Sequence, residues 1–395
     1  MPVACSVTHV VVCARAFPQE KARAIEPTHS AKAARVHVTG DRESNEHARL
    51  QRVESGRLAA LPFQRRFDGI VSATLHGIVD RFRDAAPPLT LGDRDRLDGR
   101  TCLVTGANRG LGLAISQALA RRGAHVILAC RSGVQEAMES VRRAAADGGG
   151  TASGVKLDLG DLASVDKLVE ELKEDGVQLD VTVLNAAIVP DKARVSRHGV
   201  DEMFQVNYLA NYLFVRRLLA AGVISSTRAS DDDGPTEKFA PRIVMVSSES
   251  YRTAHPIDWP RFAQPGTYGM RQVVEEYGHT KLLLETFATE LARRTPGVSV
   301  FTTCPGAVAT DIAREAPAWV KPMLDPAMRH FFKPVDEGAL PIVWLAASRS
   351  IEGQTGLYVH VKTQKERDPR AADPRTGHRL WDASEAVLTR LGFAP

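Results

Sequence analysis

The chain has 395 residues, of which 44% are hydrophobic and 25% are charged, and its formal net charge is +4. This composition is typical of a globular protein, and so small a net charge does not indicate a nucleic-acid-binding protein. The five cysteines are scattered and form no C-x-x-C pair. They therefore predict neither a disulfide framework nor a metal site, and they favour a reducing compartment.

The first 96 residues form two predicted parts. Residues 1–60 mix charges of both signs with small residues and show little periodicity, which predicts a disordered extension. In the part 61–96, apolar residues recur at helical spacing between 67 and 82, which predicts an amphipathic helix followed by a linker. We expect this helix to pack on the main body or on a second subunit, and contact with a membrane surface is the less favoured alternative.

Two expectations concern location. The sequence has no run of 18 or more uncharged apolar residues, which predicts the absence of a transmembrane helix. The apolar N-terminal segment is not preceded by the basic residues of a secretory signal. We therefore expect a cytoplasmic protein.

A strand, a glycine-rich turn and a helix begin the main body. The apolar run Thr101 to Thr105 predicts a buried strand, a helix with an apolar face follows through about Arg122, and 125–130 predicts a second strand. In such a unit a dinucleotide pyrophosphate can lie on backbone N–H groups at the helix N-terminus. The predicted cofactor-binding residues of the turn are Gly106, Asn108, Arg109, Gly110, Leu111 and Gly112.

The end of the second predicted strand indicates which cofactor is bound. Sites that prefer NAD usually carry Asp or Glu there, on the ribose 2′-hydroxyl. This chain has Arg131 instead, whose planar guanidinium could pair with a 2′-phosphate while Arg109 flanks the same group. The sequence therefore favours NADP(H) over NAD(H), and the alternative is that both arginines are solvated surface residues.

Further strands and helices alternate after Arg131, as in a parallel sheet covered by helices. The predicted strands are 154–159, 181–185, 242–247, 298–303 and 356–361, and the predicted helices are 134–146, one from about 162, 199–221, 275–294, 336–348 and 380–391. The predicted fold is α/β, a doubly wound parallel sheet (Rossmann fold) of about seven strands with helices on both faces.

Two predicted strands end in residues that suit a cofactor. Asp158 and Leu159 end the third strand, where the carboxylate could accept a hydrogen bond from an adenine amino group or cap the next helix. Those two alternatives stay open. Asn185, Ala186 and Ala187 end the fourth strand, where small residues let the backbone approach a cofactor closely.

A catalytic group is indicated further along the chain. Tyr277 and Lys281 stand four residues apart on one predicted helix and so share a face. A nearby ammonium group lowers the pKa of tyrosine from about 10 towards the range in which a general acid or base works best. Ser248 follows the predicted strand 242–247, and its hydroxyl could hold a substrate carbonyl oxygen.

Together these motifs resemble those of the short-chain dehydrogenase/reductases, from about Leu97 to the C-terminus, so we take 97–395 as the catalytic domain. The matching segments are 105–112, 185–187, Asn207, 246–248, 277–281 and 305–310. The resemblance implies that Tyr277 protonates the substrate oxygen while hydride leaves the nicotinamide. It further implies that Lys281 lowers the pKa of Tyr277 and bonds the nicotinamide ribose, and that Ser248 orients the carbonyl.

The same resemblance implies roles for further residues and an assembly. Asn207 would hold a water that links Lys281 to solvent. Four residues would lie along the nicotinamide end of the cofactor, namely Pro305, Gly306, Val308 and Thr310. Members of the family often form dimers or tetramers through the helices that precede and contain Tyr277 and Lys281, so we expect a homo-oligomer.

Within the family the chain looks most like the retinol dehydrogenase-like branch. The similar features are Ala129-Cys130-Arg131, the segment 198–207, the 29-residue separation of Ser248 and Tyr277, and the closing segments 353–358 and 379–381. Two positions depart from the family pattern. Asn185-Ala186-Ala187 replaces the usual Asn-Ala-Gly, as the protochlorophyllide reductases also approach, and Ala210 replaces a common glycine.

The sequence therefore predicts an NADP(H)-dependent oxidoreductase that interconverts a carbonyl and an alcohol on a fairly apolar small molecule. The aromatic-rich segment 251–274 and the region after Thr310 are expected to wall the substrate pocket. One alternative is a C=C reductase of the protochlorophyllide reductase type. Another is a dinucleotide-binding scaffold without activity.

Overall fold

The computed structural model describes residues 89–225, 239–269, 272–308 and 333–394. The predicted extension 1–60, the predicted helix 67–82 and Thr310 lie outside these residues. The predicted division at residues 60 and 96 therefore stays a prediction.

A mostly parallel sheet forms the centre of the described part. Its order is β3-β2-β1-β4-β5-β6-β7-β8, and only the pairing of β7 with β8 is antiparallel. The strands are β1 Thr101–Thr105, β2 His125–Cys130, β3 Thr151–Lys156, β4 Val181–Leu184, β5 Arg242–Val246, β6 Ser299–Cys304, β7 Tyr358–His360 and β8 Thr363–Gln364. The order reverses between β1 and β4, and open α/β sheets bind ligands at the carboxyl ends of such strands.

Helices cover both faces of this sheet. They are α1 Gly110–Arg121, α2 Val134–Ala144, α3 Leu162–Glu174, α5 Val273–Arg294, α6 Val335–Ala347, α7 Pro369–Ala372 and α8 Pro374–Arg390. Helix α4 is continuous over three segments, Glu202–Phe204, a π-helical turn Gln205–Leu209 and Ala210–Ala220. Short 3₁₀ turns lie at Glu249–Arg252, Trp259–Arg261 and Arg349–Ile351.

Alternate side chains of the central strands enter two separate hydrophobic cores. Leu103 and Ile127 pack with α3, α4, α5 and α8 on one face. Cys102 and Val126 pack with α1, α2 and α6 on the other face. A parallel sheet buried on both faces explains the nearly continuous apolar runs of its strands. The predicted fold class, a doubly wound α/β sheet, is confirmed.

The described sheet has eight strands, where about seven were predicted. After β7 the chain turns back at Val361, whose φ is +56°, and His360 pairs with Thr363 of β8. Two-residue hairpin turns usually carry glycine or asparagine because these residues adopt positive φ readily. A valine at this position gave no such signal, and the strand was therefore missed.

Several predicted boundaries were wrong by three residues or more. Strand β3 ends at Lys156 rather than at 159, so Asp158 and Leu159 follow the strand, and helix α4 begins at Glu202 rather than near 199. Strand β3 begins three residues before the predicted start at 154, because it is an edge strand with exposed ends at Thr151 and Lys156 rather than a buried apolar run. Helix α8 begins at Pro374 rather than near 380. Its N-cap is Asp373, whose side chain accepts hydrogen bonds from the N–H groups of Arg375 and Thr376. The Asp-Pro pair is a helix-start signal that could have corrected this boundary.

Candidate functional site

A cavity of about 430 Å³ lies at the carboxyl ends of the central parallel strands. Almost all of the predicted site residues line it: Gly106, Asn108, Arg109, Gly110, Leu111, Gly112, Arg131, Asp158, Leu159, Asn185, Ala186, Ala187, Ser248, Tyr277, Lys281, Pro305, Gly306 and Val308. Asn207 is not among the lining residues. Residues distant in sequence meet here because parallel strands all end at the same edge of the sheet.

The glycine-rich turn connects β1 to α1 and has a tightly determined backbone. Gly106 has φ +64° and Gly110 has φ +51°, values that L side chains rarely adopt. A Cβ at Gly112 would lie 2.2 Å from the carbonyl oxygen of Gly106. The turn therefore leaves the N-terminus of α1 open to the cavity, where backbone N–H groups can hold a phosphate.

The turn is joined to the end of β4 through Thr105, a residue that the sequence did not single out. Its hydroxyl oxygen accepts hydrogen bonds from the N–H groups of Asn185 and Ala186, both at 3.0 Å. The Asn185 side-chain amide donates to the Thr105 carbonyl oxygen at 3.0 Å. Asn185 thus holds the turn in place, and this use of its amide was not foreseen.

We expect Gly112→Ala to lower the free energy of unfolding by about 1–3 kcal/mol, because the new methyl group would overlap the Gly106 backbone. It should also weaken cofactor binding, since the turn must shift to make room. Thermal denaturation and cofactor titration measure the two effects. Gly92→Ala is the matched control because a Cβ there meets no atom within 4 Å. Equal behaviour of the two variants would contradict the expectation.

Two arginines and a thiol lie where β2 ends. Arg109 and Arg131 are exposed at the cavity. Burial raises the pKa of the Cys130 thiol to about 11, although the backbone N–H groups of Ala107 and Asn108 in the turn oppose this change. Cationic side chains beside this glycine turn could pair with the phosphate groups of a dinucleotide.

The position of Asp158 excludes one of its two predicted roles, that of the helix cap. Its Oδ1 accepts a hydrogen bond from the N–H of Gly160 at 2.9 Å, and the residue lines the cavity. The N-cap of α3 is Asp161, which accepts from the N–H of Ala163 at 3.2 Å. Asp158 is therefore not the cap, and its contact with an adenine stays a prediction.

Lys281 lies almost completely buried beneath Tyr277. Its Nζ donates a hydrogen bond to the Val246 carbonyl oxygen at 2.9 Å and lies 5.5 Å from the centre of the Tyr277 ring. Burial lowers the pKa of Lys281 to about 8, although the Glu285 carboxylate and Cys304 oppose this change. The cation that the sequence placed beside the tyrosine is present, and with this pKa it remains mostly protonated at pH 7.

The expected direction of the Tyr277 pKa was wrong for the protein alone. Burial raises this pKa, and the Cys304 thiol raises it further. The Lys281 ammonium group is held at the end of β5 by the Val246 carbonyl, and it does not offset the cost of charging a phenol that the surrounding protein partly buries. Tyr277 is therefore protonated at neutral pH, as a proton donor must be.

Ser248 belongs to a small hydroxyl pair at the end of β5. Its Oγ accepts hydrogen bonds from the Ser250 hydroxyl at 3.0 Å and from the Ser250 N–H at 3.3 Å. Ser250, which the sequence did not single out, thereby orients Ser248 and leaves the Ser248 proton to be donated to another acceptor.

Asn207 lies behind the cavity, in the π-helical turn of α4. Its Oδ1 accepts from the N–H of Ile188 at 2.8 Å, and its Nδ2 donates to the Ile188 carbonyl at 2.9 Å and to the Thr280 hydroxyl at 3.3 Å. The side chain thus joins the segment after β4 to α5, one residue before Lys281. The predicted water relay is not tested by this geometry.

Several residues that the sequence did not single out line the rest of the cavity. Three are apolar and two form an ion pair: Ile188, Val189, Val206, Arg194 and Glu202. The segment 251–274 was expected to wall the substrate pocket, but none of its described residues lines this cavity. Tyr268 instead packs behind the loop before α4, where its hydroxyl donates to Asp201 at 3.0 Å. The region after Thr310 lies outside the described residues until 333.

The residues that the structure describes contain no group of three or more His, Cys, Asp or Glu side chains that could hold a metal ion. None of their helices combines the length and the apolar character that crossing a membrane requires.

A doubly wound sheet with a glycine-rich turn at its switch point defines a dinucleotide-binding protein. Residues 100–250 match the family model described as short chain dehydrogenase. Human retinol dehydrogenase 14 is 34% identical, over 76% of this chain and 89% of that protein. Human dehydrogenase/reductase SDR family member 13 is 31% identical, over 76% of each chain. The WW domain-containing oxidoreductase of Pongo abelii is 32% identical, over 74% of this chain and 69% of that protein.

Solved structures show the same fold. A crystal structure of an uncharacterised protein from Mycobacterium paratuberculosis matches with a TM-score of 0.54 and 24% identity, over 74% of this chain and 95% of that one. The chain belongs to the short-chain dehydrogenase/reductase family and, within it, to the retinol dehydrogenase-like branch. It is accordingly an oxidoreductase of a family that uses NAD(P).

Proposed function

We propose that the protein interconverts a carbonyl and an alcohol on a fairly apolar small molecule and uses NADP(H) to do so. The observation that carries this proposal is one cavity that joins the glycine turn of α1 to Ser248, Tyr277 and Lys281. The first group of residues suits a dinucleotide and the second suits proton transfer. The nicotinamide, when bound, supplies or accepts the hydride.

Each catalytic side chain has a separate task in carbonyl reduction. Tyr277 donates its proton to the substrate oxygen, and its raised pKa keeps that proton available at neutral pH. Ser248 donates a hydrogen bond to the same oxygen as negative charge develops on it. The Lys281 ammonium group, 5.5 Å from the Tyr277 ring, stabilises the phenolate that proton transfer leaves behind.

Charge and apolar surface support the choice of cofactor and substrate. Arg109 and Arg131 give the cavity positive charge beside the glycine turn, which favours a cofactor with a 2′-phosphate. Ile188, Val189 and Val206 give another part of it an apolar wall. A carbonyl carried by a fairly apolar molecule suits this combination.

A pH profile tests the role of Lys281. We expect kcat/KM for carbonyl reduction to fall above a pH of about 8, because the charge of Lys281 is present below that value and lost above it. Tyr277 does not contribute to this fall, since burial raises its pKa.

Lys281→Met is expected to lower kcat/KM at pH 7 and to leave activity without a fall near pH 8. Steady-state kinetics with NADPH between pH 6 and 10 measure both changes. If the remaining activity keeps the same alkaline fall, another group must titrate there.

A substrate panel tests the proposed reaction itself. NADPH and NADH consumption is measured with apolar aldehydes, ketones and enones. Turnover of aldehydes or ketones supports the proposal, whereas turnover of enones alone supports a C=C reductase, which Asn185-Ala186-Ala187 favours. Tight cofactor binding without any turnover supports the scaffold alternative.

The proposed homo-oligomer needs particular surfaces. Helix α8 packs against α5, and the Trp381 ring lies 5.3 Å from the Tyr212 ring of α4 and 6.1 Å from the Phe287 ring of α5. We propose that an assembly through α4 and α5 uses the surfaces that α8 leaves uncovered. Light scattering in solution decides between the monomer mass of 42.9 kDa and a multiple of it.

A further inference from the structure

Glu285 is a fully buried carboxylate on α5, one helical turn after Lys281. Its Oε2 accepts hydrogen bonds from the Thr302 hydroxyl at 2.9 Å and from Nε of Arg367 at 3.0 Å. Its Oε1 has no hydrogen-bond partner among the described residues. Burying a carboxylate with an unsatisfied oxygen costs folding free energy, so this residue calls for a function other than stability.

Arg367 holds Glu285 in a fixed place. Its guanidinium also donates to the Thr302 hydroxyl at 2.8 Å, to the Leu357 carbonyl at 3.1 Å and to the Gly356 carbonyl. These contacts join the segment after β8 to β6 and to the chain before β7. Because five N–H donors in a rigid fork allow little movement, the carboxylate keeps one position relative to α5.

The groups around Lys281 and Glu285 show which negative charge acts on Lys281. Tyr277 on α5 and Cys304 on β6 face Lys281, and burial raises the pKa of both, that of Cys304 to about 12, so both are neutral at pH 7. Tyr251 and Tyr358 lie near Glu285, and burial raises the pKa of these phenols as well.

A second acidic residue of this region is engaged elsewhere. Glu249 accepts a hydrogen bond from Tyr358 and lies beside Arg252 and His360. Burial favours the neutral form of Glu249, but His360, Arg252 and Lys365 outweigh it and lower the pKa of Glu249. Glu285 is therefore the negative charge that acts on Lys281, whereas Glu249 acts on Cys304.

We propose that Glu285, clamped by Arg367 and Thr302, is a positioning residue that keeps the buried Lys281 ammonium group charged beside Tyr277. Residues four apart share one face of a helix, and a carboxylate there favours the charged form of an amine that has little contact with water. The inference rests on the proposed catalytic role of Lys281. It adds that the site depends on a carboxylate that does not line the cavity.

Titration of the Lys281 amine tests this proposal directly. The protein carries ¹³C,¹⁵N-labelled lysine, the Lys281 signal is assigned by its loss in Lys281→Met, and its NMR shift is followed with pH. We expect a midpoint of about 8 in the unaltered protein and a midpoint lower by about one pH unit in Glu285→Gln. The alkaline fall of kcat/KM should move to lower pH by the same amount.

Glu290→Gln is the matched control. Glu290 is a second buried carboxylate on α5, paired with Arg293 and Arg294, and it lies more than two turns from Lys281. If Glu285 only stabilised the fold, both variants would lower the melting temperature and neither would change the Lys281 midpoint.

Glu285→Gln leaves the Arg367 guanidinium without its carboxylate partner and could prevent folding. A double variant is the test for that case. Glu285→Gln with Arg367→Gln removes both buried charges, and the Lys281 midpoint is still expected to lie below that of the unaltered protein, with a smaller shift because the cation that opposed Glu285 is also gone. Glu285→Asp retains the charge and should keep the midpoint near that of the unaltered protein. An unchanged midpoint in the folded variants that lack the carboxylate overturns the proposal. Because the titration needs no turnover, this result is distinct from a failure of the proposed reaction.

Discussion

Tyr277→Phe is expected to lower kcat/KM for carbonyl reduction by about a hundred- to ten-thousandfold, the usual contribution of a positioned general acid. The variant loses one hydroxyl group and keeps the ring that lines the cavity beside Lys281. Cofactor affinity should change little, because the glycine turn and the arginines are untouched. Steady-state kinetics and cofactor titration on the same preparation measure the two quantities.

Tyr208→Phe is the control for this experiment. Tyr208 lies in the π-helical turn of α4 and is fully buried, and its hydroxyl lies 2.6 Å from the Ser384 hydroxyl, but it does not line the cavity. We expect this variant to keep its kcat/KM while losing some stability. A Tyr277→Phe protein that binds cofactor and still turns over within a few fold would show that another group donates the proton.

Arg131→Ala is expected to lower kcat/KM for NADPH by about ten- to a hundredfold and to leave kcat/KM for NADH nearly unchanged. Hydrogen bonds to a charged group are worth about 1.5–3 kcal/mol. The variant would lose such bonds to the 2′-phosphate of NADPH, and NADH has no 2′-phosphate. Arg131 is exposed at the cavity where β2 ends.

Arg143→Ala controls for the loss of a surface charge. Arg143 is exposed near the end of α2 and does not line the cavity. The Arg143→Ala variant should leave kcat/KM for NADPH and for NADH unchanged. Equal losses with NADPH and NADH in Arg131→Ala would contradict the 2′-phosphate assignment, while the fold and the catalytic site would stand.

The parts of the site that are set by residues close together in the sequence were predicted well. The strand, glycine turn and helix over 101–121 were found because their signals are local: an apolar run, three glycines and a helical apolar face. The four-residue spacing of Tyr277 and Lys281 likewise placed both on one helix. The sequence also indicated that strand ends carry the site, and one cavity joins them.

Contacts between distant segments were not predicted. The Asn185 amide holds the turn through Thr105, and Tyr268 supports the loop before α4 rather than walling the cavity. The hairpin at Val361 has a backbone angle that its residue type does not announce. In each case the partner is many residues away in the chain, or the conformation is imposed by its surroundings.

By itself the sequence determined the alternation of strands and helices up to β7, the place of the glycine turn and the residue types at the catalytic positions. The tertiary structure alone decided the protonation of those residues, since desolvation in the folded protein raises the pKa of Tyr277 and lowers that of Lys281. It also brought Arg367 to Glu285 beneath the site. The physical reason is that the free energy of a charge depends on the water excluded from it and on nearby charges, and both are set by folding.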